Sequence, residues 1–272
     1  MKVVKYIAVA LLAVLGILMA FIVNINLRQK IEYEYTLEEG LIAHWTLDKI
    51  VGRKILDSLG ELHGTVIGSV KVAEGVIGNA VYFNGNGYIK FSKKTIETLG
   101  KLKKGSISLW FKYIDVLNKQ EILPIFYLGI SSENKTDNMF IIEIGHARPG
   151  NKKLYVTWVI NGKPVLCFDS RVNLEPGKWY HLVVVVSEHG NTAYLNGVEL
   201  TNRHYNFGSP KMRLFLADIP SKELLAIGYG KTAKKKSLHF LYFYGAVDDI
   251  GVYSRALTAD EVKKLYEEGG KW

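Results

Sequence analysis

The sequence predicts an all-β protein, a two-sheet antiparallel jelly-roll sandwich that is preceded by one transmembrane helix and followed by a short terminal helix. Two observations indicate the sandwich. From Gly40 onward, apolar and polar residues alternate in short runs, and glycine or asparagine turns separate these runs. The chain has 272 residues, which is enough for one large all-β domain. A helical pattern appears only near the carboxyl terminus, which argues against a βαβ fold.

The amino-terminal segment carries the longest apolar run. Residues 6–23 are uninterruptedly apolar, and as a helix they would be about 27 Å long, close to the ~30 Å hydrocarbon core. Lys2 and Lys5 precede the run, which favours an amino terminus in the cytoplasm. Because no convincing small-x-small exit follows, an uncleaved signal anchor is favoured over a cleaved signal peptide. We therefore predict a single-pass cell-membrane protein with a cytoplasmic stub at 1–5, an anchor at 6–25, a stalk at 26–39 and an extracytoplasmic domain at 40–272.

The strands follow from local patterns. Residues 41–47 and 106–113 alternate cleanly, so each predicts an antiparallel strand with one apolar face. Residues 179–186 form a largely β-branched run, and the pair Asn196-Gly197 further on is the strongest short hairpin signal that a sequence can give.

The terminal helix is predicted by a capping box. Thr258 is the expected N-cap and Glu261 the third helical residue, and Val262 and Leu265 begin an apolar stripe. Gly269 is the expected left-handed stop.

Composition narrows the function classes. The single cysteine, Cys167, excludes an intramolecular disulfide and a multi-cysteine zinc site, and we predict that it is buried. The formal net charge is +9, but no nucleic-acid-binding motif accompanies it, so we predict no nucleic-acid partner. The scarcity of Gln and Cys beside many Lys, Glu and Ile is typical of a thermophilic source.

Five short motifs in order along residues 40–269 resemble the laminin-G-like family of the concanavalin A-like lectin/glucanase superfamily. Each motif is weak by itself, but their order and spacing together are specific for the fold. The same sandwich serves lectins, adhesion modules and glycoside hydrolases, so the resemblance predicts the fold better than the function. The motifs are GLIAHWTLD at 40–48, GNAVYFNG at 78–85, GKWYHLV at 177–183, YLNGV at 194–198 and VDDIGVYSRAL at 247–257.

The resemblance implies a structural calcium ion at the rim of the sandwich. The positions that match the family's ligands are Asp48, Asp57 and Asp248, with Asp249 as a neighbour. Calcium takes six to eight hard oxygen ligands, several of them carboxylates. The alternative is that these aspartates cap turns by accepting hydrogen bonds from the local backbone.

Catalysis is not expected from the sequence. Hydrolytic members of the superfamily carry two carboxylates on one strand face, whereas Glu143 has no acidic residue two positions away. The histidines show no metal-ligand spacing and no serine lies in a nucleophile-elbow context. We therefore predict that the chain is not an enzyme.

The predicted function is recognition of carbohydrate or of a surface protein by a membrane-anchored binding or adhesion module. A structural surface component without a small ligand is the alternative, and a glycoside hydrolase is the third reading. Aromatic rings are the usual platform for sugar faces. The aromatic candidates are Tyr205, Phe207, Tyr229, Phe240, Tyr242, Phe243 and Tyr244.

Overall fold

The structure of the protein is a computed structural model that describes residues 12–25, 37–116, 122–132, 137–145, 151–231 and 240–269. The predicted stub at 1–5, the beginning of the predicted anchor and most of the predicted stalk lie outside these ranges. The chain divides into two compact units, an amino-terminal one that ends at Gly40 and a second that covers Leu41–Lys271.

The amino-terminal unit contains a helix, α1, over residues 12–25, and its side chains are exposed. Within the described ranges, no helix combines the length and apolar composition needed to cross a bilayer. The prediction of a single-pass cell-membrane protein is therefore wrong. The bounds 6–25 predicted for the anchor lie partly outside the described residues.

The second unit is an all-β sandwich, as predicted. Its first layer has the strand order β12-β11-β10-β5-β17, with β1 pairing the carboxyl-terminal half of β17. All these pairs are antiparallel. The strands are β1 (Leu41–Trp45), β5 (Gly105–Tyr113), β10 (Tyr180–Ser187), β11 (Gly190–Leu195), β12 (Val198–Glu199) and β17 (Tyr244–Tyr253).

The second layer has the strand order β14-β6-β7-β8-β9-β13, again with antiparallel pairs. A two-stranded ribbon of β15 and β16 forms a separate small sheet. The strands are β6 (Leu123–Gly129), β7 (Met139–Ile144), β8 (Lys153–Ile160), β9 (Lys163–Asn173), β13 (His204–Phe207), β14 (Leu224–Ile227), β15 (Tyr229–Lys231) and β16 (Phe240–Tyr242).

One hairpin joins the two layers. Its strands are β3 (Gly64–Glu74) and β4 (Asn79–Phe91), and β2 (Lys54–Ile55) pairs with β3. The first half of β4 pairs with β17 and its last residues pair with β14, so β4 belongs to both layers. The hairpin bends where Gly68 faces Gly87, and a Cβ on Gly68 would lie 2.1 Å from the carbonyl oxygen of Asn86. This close backbone approach requires glycine.

The core lies between the layers. Alternate residues of β5, among them Ile107, Leu109 and Phe111, are fully buried in it, as their spacing predicts. A smaller apolar cluster, which includes Tyr127, Met139 and Ile141, lies on the outer face of the second layer. Both faces of that layer therefore carry packed apolar residues, unlike an antiparallel sheet that exposes one polar face to solvent.

Two short helices complete the domain. The terminal helix α3 (Ala259–Glu267) has the predicted capping box, because Thr258 accepts from the backbone of Glu261 and the Glu261 side chain accepts in return. Gly269 is left-handed, as expected, with φ +57. The sequence analysis missed α2 (Lys93–Leu99), whose N-cap is Ser92. This helix has seven residues, too few to show a clear helical period.

Candidate functional site

A β-bulge in β17 separates the two neighbouring aspartates at the rim. Asp248 faces Trp110 in the register with β5, but Gly251 faces Ser108, so β17 has one extra residue there. Asp249 occupies this bulge with φ +45. Its Oδ1 lies 2.7 Å from Nε2 of His44 on β1, whereas Asp248 is bonded to the turn at residues 75–79.

Asp248 is buried and only half satisfied. Its Oδ2 accepts hydrogen bonds from the backbone N–H groups of Val76 at 2.7 Å and Ile77 at 3.1 Å. Its Oδ1 is buried without a hydrogen-bond partner among the described residues. Burial and, to a smaller extent, the charges of Asp249 and Asp48 raise the pKa of Asp248 to about 7, although the two backbone hydrogen bonds oppose this rise.

Asp48 is bonded to the same turn. Its Oδ1 accepts from the backbone N–H of Asn79 at 2.9 Å, and the Asn79 amide donates to the Asp48 carbonyl at 3.2 Å. The turn has no space for a side chain at Gly75 or Gly78, because a Cβ there would lie 2.5 Å from Asp248 and 2.4 Å from Asp48 respectively.

Asp57 is bonded to another set of backbone groups. Its Oδ1 accepts from His44 N at 2.9 Å and from Leu59 N at 3.3 Å, and its Oδ2 accepts from Leu62 N at 3.1 Å. Both carboxylate oxygens are thus engaged in fixing the turn at residues 57–62.

The structure therefore brings Asp48 and Asp248 to the turn at residues 75–79, whereas Asp57 is bonded to the earlier turn at residues 57–62. In the parts of the chain that the structure describes, no group of three or more His, Cys, Asp or Glu side chains is arranged to hold a metal ion. The buried Oδ1 of Asp248 suits a cation, but two carboxylates supply only part of a calcium shell. Calcium binding stays a prediction.

The aromatic candidates divide into one cluster and several separate residues. Tyr229 stacks on Tyr88 with ring centroids 4.3 Å apart and on Phe240 at 5.0 Å, and it contacts Tyr242 at 4.8 Å. We call Tyr88, Tyr229, Phe240 and Tyr242 the aromatic cap. Its four side chains are half-buried, and three of them pack on the apolar cluster outside the second layer.

The other aromatic candidates lie elsewhere. Phe243 is fully buried in the main core, and Tyr244 packs against that core. Tyr205 donates to Asn191 and packs on Phe168, so it has a structural role. Phe207 is 48% exposed on β13.

A row of polar residues on the outer face of the second layer was missed by the sequence analysis. The strand register aligns Glu143 with Tyr155 and Tyr155 with Asp169, so the two acids share one sheet face across three strands. Both acids are buried. Spacing within one strand could not reveal this pair, because strand pairing creates it.

Hydrogen bonds favour the ionised form of Asp169. Burial alone would raise its pKa, but hydrogen bonds from Arg171 N, Asn206 and His204, with Lys153 nearby, hold the pKa below its ordinary value. Cys167, beside it on β9, is buried as predicted, and burial raises the pKa of its thiol to about 12. The thiol is therefore not a nucleophile at neutral pH.

Comparison with protein families identifies the sandwich. A laminin-G family model described as the concanavalin A-like lectin/glucanases superfamily matches residues 83–263. Among curated proteins, none matches this chain in sequence.

Solved structures share the fold at low sequence identity. Domain 4 of a GH43 extracellular arabinanase from Geobacillus stearothermophilus, in complex with arabinotriose, is 23% identical with a TM-score of 0.54, covering 83% of this chain and 98% of that one. A Trypanosoma rangeli sialidase is 14% identical with a TM-score of 0.58, covering 85% of this chain but only 33% of the sialidase. The CBM40 of a Ruminococcus gnavus IT-sialidase, bound to α2,3-sialyllactose, is 16% identical with a TM-score of 0.52, covering 69% of this chain and 96% of that one.

These structures correct the prediction that the chain is not an enzyme. They are parts of an arabinanase and of sialidases, so the fold of this chain occurs within enzymes that act on carbohydrate. The prediction rested on acids within a single strand, whereas pairing places Glu143 and Asp169 on one face from different strands.

Proposed function

Because this chain belongs to the concanavalin A-like lectin/glucanases superfamily, we propose that its sandwich binds carbohydrate and that the aromatic cap is the sugar-binding surface. The observation that carries this proposal is the stacking of Tyr88, Tyr229 and Phe240 into one half-exposed aromatic surface outside the second layer. The arabinotriose and sialyllactose bound by two structures of this fold support carbohydrate as the ligand class.

The cap has the two properties that sugar binding needs. Its rings offer apolar surface for the C–H face of a pyranose or furanose, and its tyrosine hydroxyls offer hydrogen bonds to sugar hydroxyls. Burial and the nearby Tyr242 raise the pKa of Tyr88 above its ordinary value, so its hydroxyl stays neutral and able to donate. The cap rests on a buried apolar cluster, which fixes the rings before ligand binds.

Binding of oligosaccharides to the full chain tests the proposal. Arabinotriose, α2,3-sialyllactose and a panel of neutral oligosaccharides would be titrated by calorimetry. We expect at least one to bind, and Tyr88→Ala to weaken its binding tenfold or more, which corresponds to ~1.4 kcal/mol. Phe207→Ala is the matched control, since Phe207 is an exposed aromatic residue outside the cap.

Two results would contradict the proposal: no binding to any oligosaccharide, or equal losses in Tyr88→Ala and Phe207→Ala. The first would favour recognition of a protein or a structural role without a small ligand. Release of reducing ends in the same mixtures would instead show hydrolysis. Glu143 and Asp169 are then the acids to replace first, because they share one sheet face.

Calcium at the rim is a separate proposal, for which the half-satisfied Asp248 and the nearby Asp48 are the supporting observations. A bound ion would neutralise these two carboxylates and fix the turn at residues 75–79. Backbone carbonyls and water would have to complete its shell.

A further inference from the structure

An open groove of about 430 Å³ lies away from the aromatic cap, between the end of β9 and the turn after β12. Residues 170–172 form one wall and residues 199–202 form the other. The composition of the groove is mixed, with a guanidinium, a carboxylate, hydroxyl and amide groups, and two aliphatic side chains.

A two-residue bulge builds the first wall. Lys153 of β8 pairs with Asn173 and Tyr155 pairs with Asp169, so residues 170–172 of β9 lie opposite Leu154 alone. Ser170 Oγ accepts from Leu154 N at 3.2 Å and donates to the Val172 carbonyl at 2.8 Å. Bulges of this kind re-aim side chains and are frequent next to binding sites.

The bulge fixes Arg171 in an uncommon conformation. Its φ is +60, in the left-handed region that costs a non-glycine residue free energy. The buried carboxylate of Asp169 holds it there by accepting the Arg171 N–H at 2.8 Å. The Arg171 side chain is exposed, and its guanidinium makes no hydrogen bond or ion pair with a residue that the structure describes. The fixed backbone thus places the Arg171 guanidinium at the groove, where it has no partner among the described residues.

The opposite wall adds two neutral polar side chains and one carboxylate that already has partners. Thr201 and Asn202 are exposed and can hydrogen-bond a ligand. The one carboxylate of this wall, Glu199, already accepts from Thr192 Oγ1 at 2.8 Å and lies 3.7 Å from the Arg203 guanidinium. The charge that Arg171 presents is therefore left for a ligand.

We propose that this groove binds an acidic sugar, a saccharide residue whose carboxylate pairs with Arg171. Guanidinium and carboxylate match as planar groups joined by two parallel hydrogen bonds. Thr201 and Asn202 would bind the sugar hydroxyls, while Val172, which is 51% exposed, and Leu200 would contact its apolar face. The formal net charge of the whole chain, +9, also favours an acidic ligand. The choice of a saccharide rests on the proposed function, but the site is distinct from the aromatic cap.

The test uses pairs of sugars in which one member carries a carboxylate and the other does not. The full chain would be titrated with trigalacturonic acid and its methyl ester, and with α2,3-sialyllactose and lactose. We expect at least one acidic member to bind tenfold or more tighter than its neutral partner. Arg171→Gln should abolish this preference, and Thr201→Ala on the other wall should weaken binding of the acidic sugar. Arg213→Gln is the matched control, because Arg213 is also exposed but lies outside the groove.

Each outcome has a definite meaning. No preference for the acidic member of either pair, or a preference that survives in Arg171→Gln, overturns the inference. Binding of neutral sugars that Tyr88→Ala weakens and Arg171→Gln leaves unchanged would then still support the aromatic cap. Equal unfolding midpoints of the Arg171→Gln and Arg213→Gln variants would exclude misfolding as the cause of a lost preference.

Discussion

The turn at residues 57–62 and the turn at residues 75–79 are each tied by a buried aspartate, but the two carboxylates are used differently. Asp57 engages both oxygens with backbone N–H groups of its own turn and of β1. Asp248 engages one oxygen with two N–H groups and leaves the other buried without a hydrogen-bond partner in the described structure. Both were predicted as calcium ligands. Of these two aspartates, only Asp248 retains a carboxylate oxygen that a ligand could use. The hydrogen bonds therefore separate two residues that the sequence predicts to have the same role.

Replacing Asp57 with alanine should give the largest effect in this comparison. The backbone N–H groups of His44 and Leu62 would lose their buried acceptor, and each such loss costs ~1–3 kcal/mol. We expect the free energy of unfolding to fall by about 3 kcal/mol in urea titrations. Asp48→Ala is the matched control, since Asp48 is half-buried and accepts one backbone bond through its carboxylate, and it should cost ~1 kcal/mol. Equal losses in the two variants would contradict the distinction.

Asp248→Asn should change the pH dependence of stability. The pKa of Asp248 is about 7 in the folded protein and near 3.8 when unfolded, so the unfolded state releases this proton first as pH rises. Wild-type stability should therefore fall between pH 5.5 and 6.5 relative to the variant, by at most ~1.4 kcal/mol over that unit. Urea titrations of both proteins measure this difference.

The stability of the wild type must be measured relative to that of the variant, because His181 changes the pH dependence of stability in the opposite direction. Burial lowers its pKa from 6.5 to about 3, so it costs stability as pH falls below 6.5. This contribution is present in both proteins and cancels. A wild-type minus variant difference that does not change with pH would show that Asp248 is not held protonated.

Calcium should produce a change of similar size, which involves only the turn at residues 75–79. Extracellular calcium modules bind with dissociation constants of ~10⁻⁴–10⁻³ M, and a tenfold excess over such a constant stabilises by ~1.4 kcal/mol. We expect the unfolding midpoint to rise in calcium relative to a chelator, and this rise to disappear in Asp248→Asn. Asp57→Ala should keep the calcium response although it is less stable. An unchanged wild-type midpoint would exclude the ion.

Local patterns predicted most of the fold. The alternation in β5, the turn at Asn196-Gly197 with φ of +53 and +76, and the capping box of Thr258 and Glu261 each depend on neighbouring residues, and the structure confirms all three. The laminin-G-like resemblance is confirmed over residues 83–263.

The features that the sequence did not predict depend on which strands pair and in which register. The pairing of Glu143 with Asp169 across β8, and the bulge that presents Arg171, exist only because β7, β8 and β9 adopt one particular register. In the sequence, Arg171 lies within an ordinary strand pattern, and no signal marks its left-handed backbone. The aromatic cap was partly predictable, since three of its four residues were among the candidates, but Tyr88 comes from β4 and joins them through tertiary contacts.

The position of β17 has a consequence for biosynthesis. This strand lies between β5 and β4 and pairs with β1, yet it is the last strand that the structure describes. A ribosome must therefore translate the chain through Tyr253 before the first layer can close, and until then the edges of β5 and β1 that pair with β17 are unpaired. Such long-range closure slows folding and exposes strand edges to other chains. The partly synthesised domain should thus be most prone to contacts with other chains before residues 244–253 emerge.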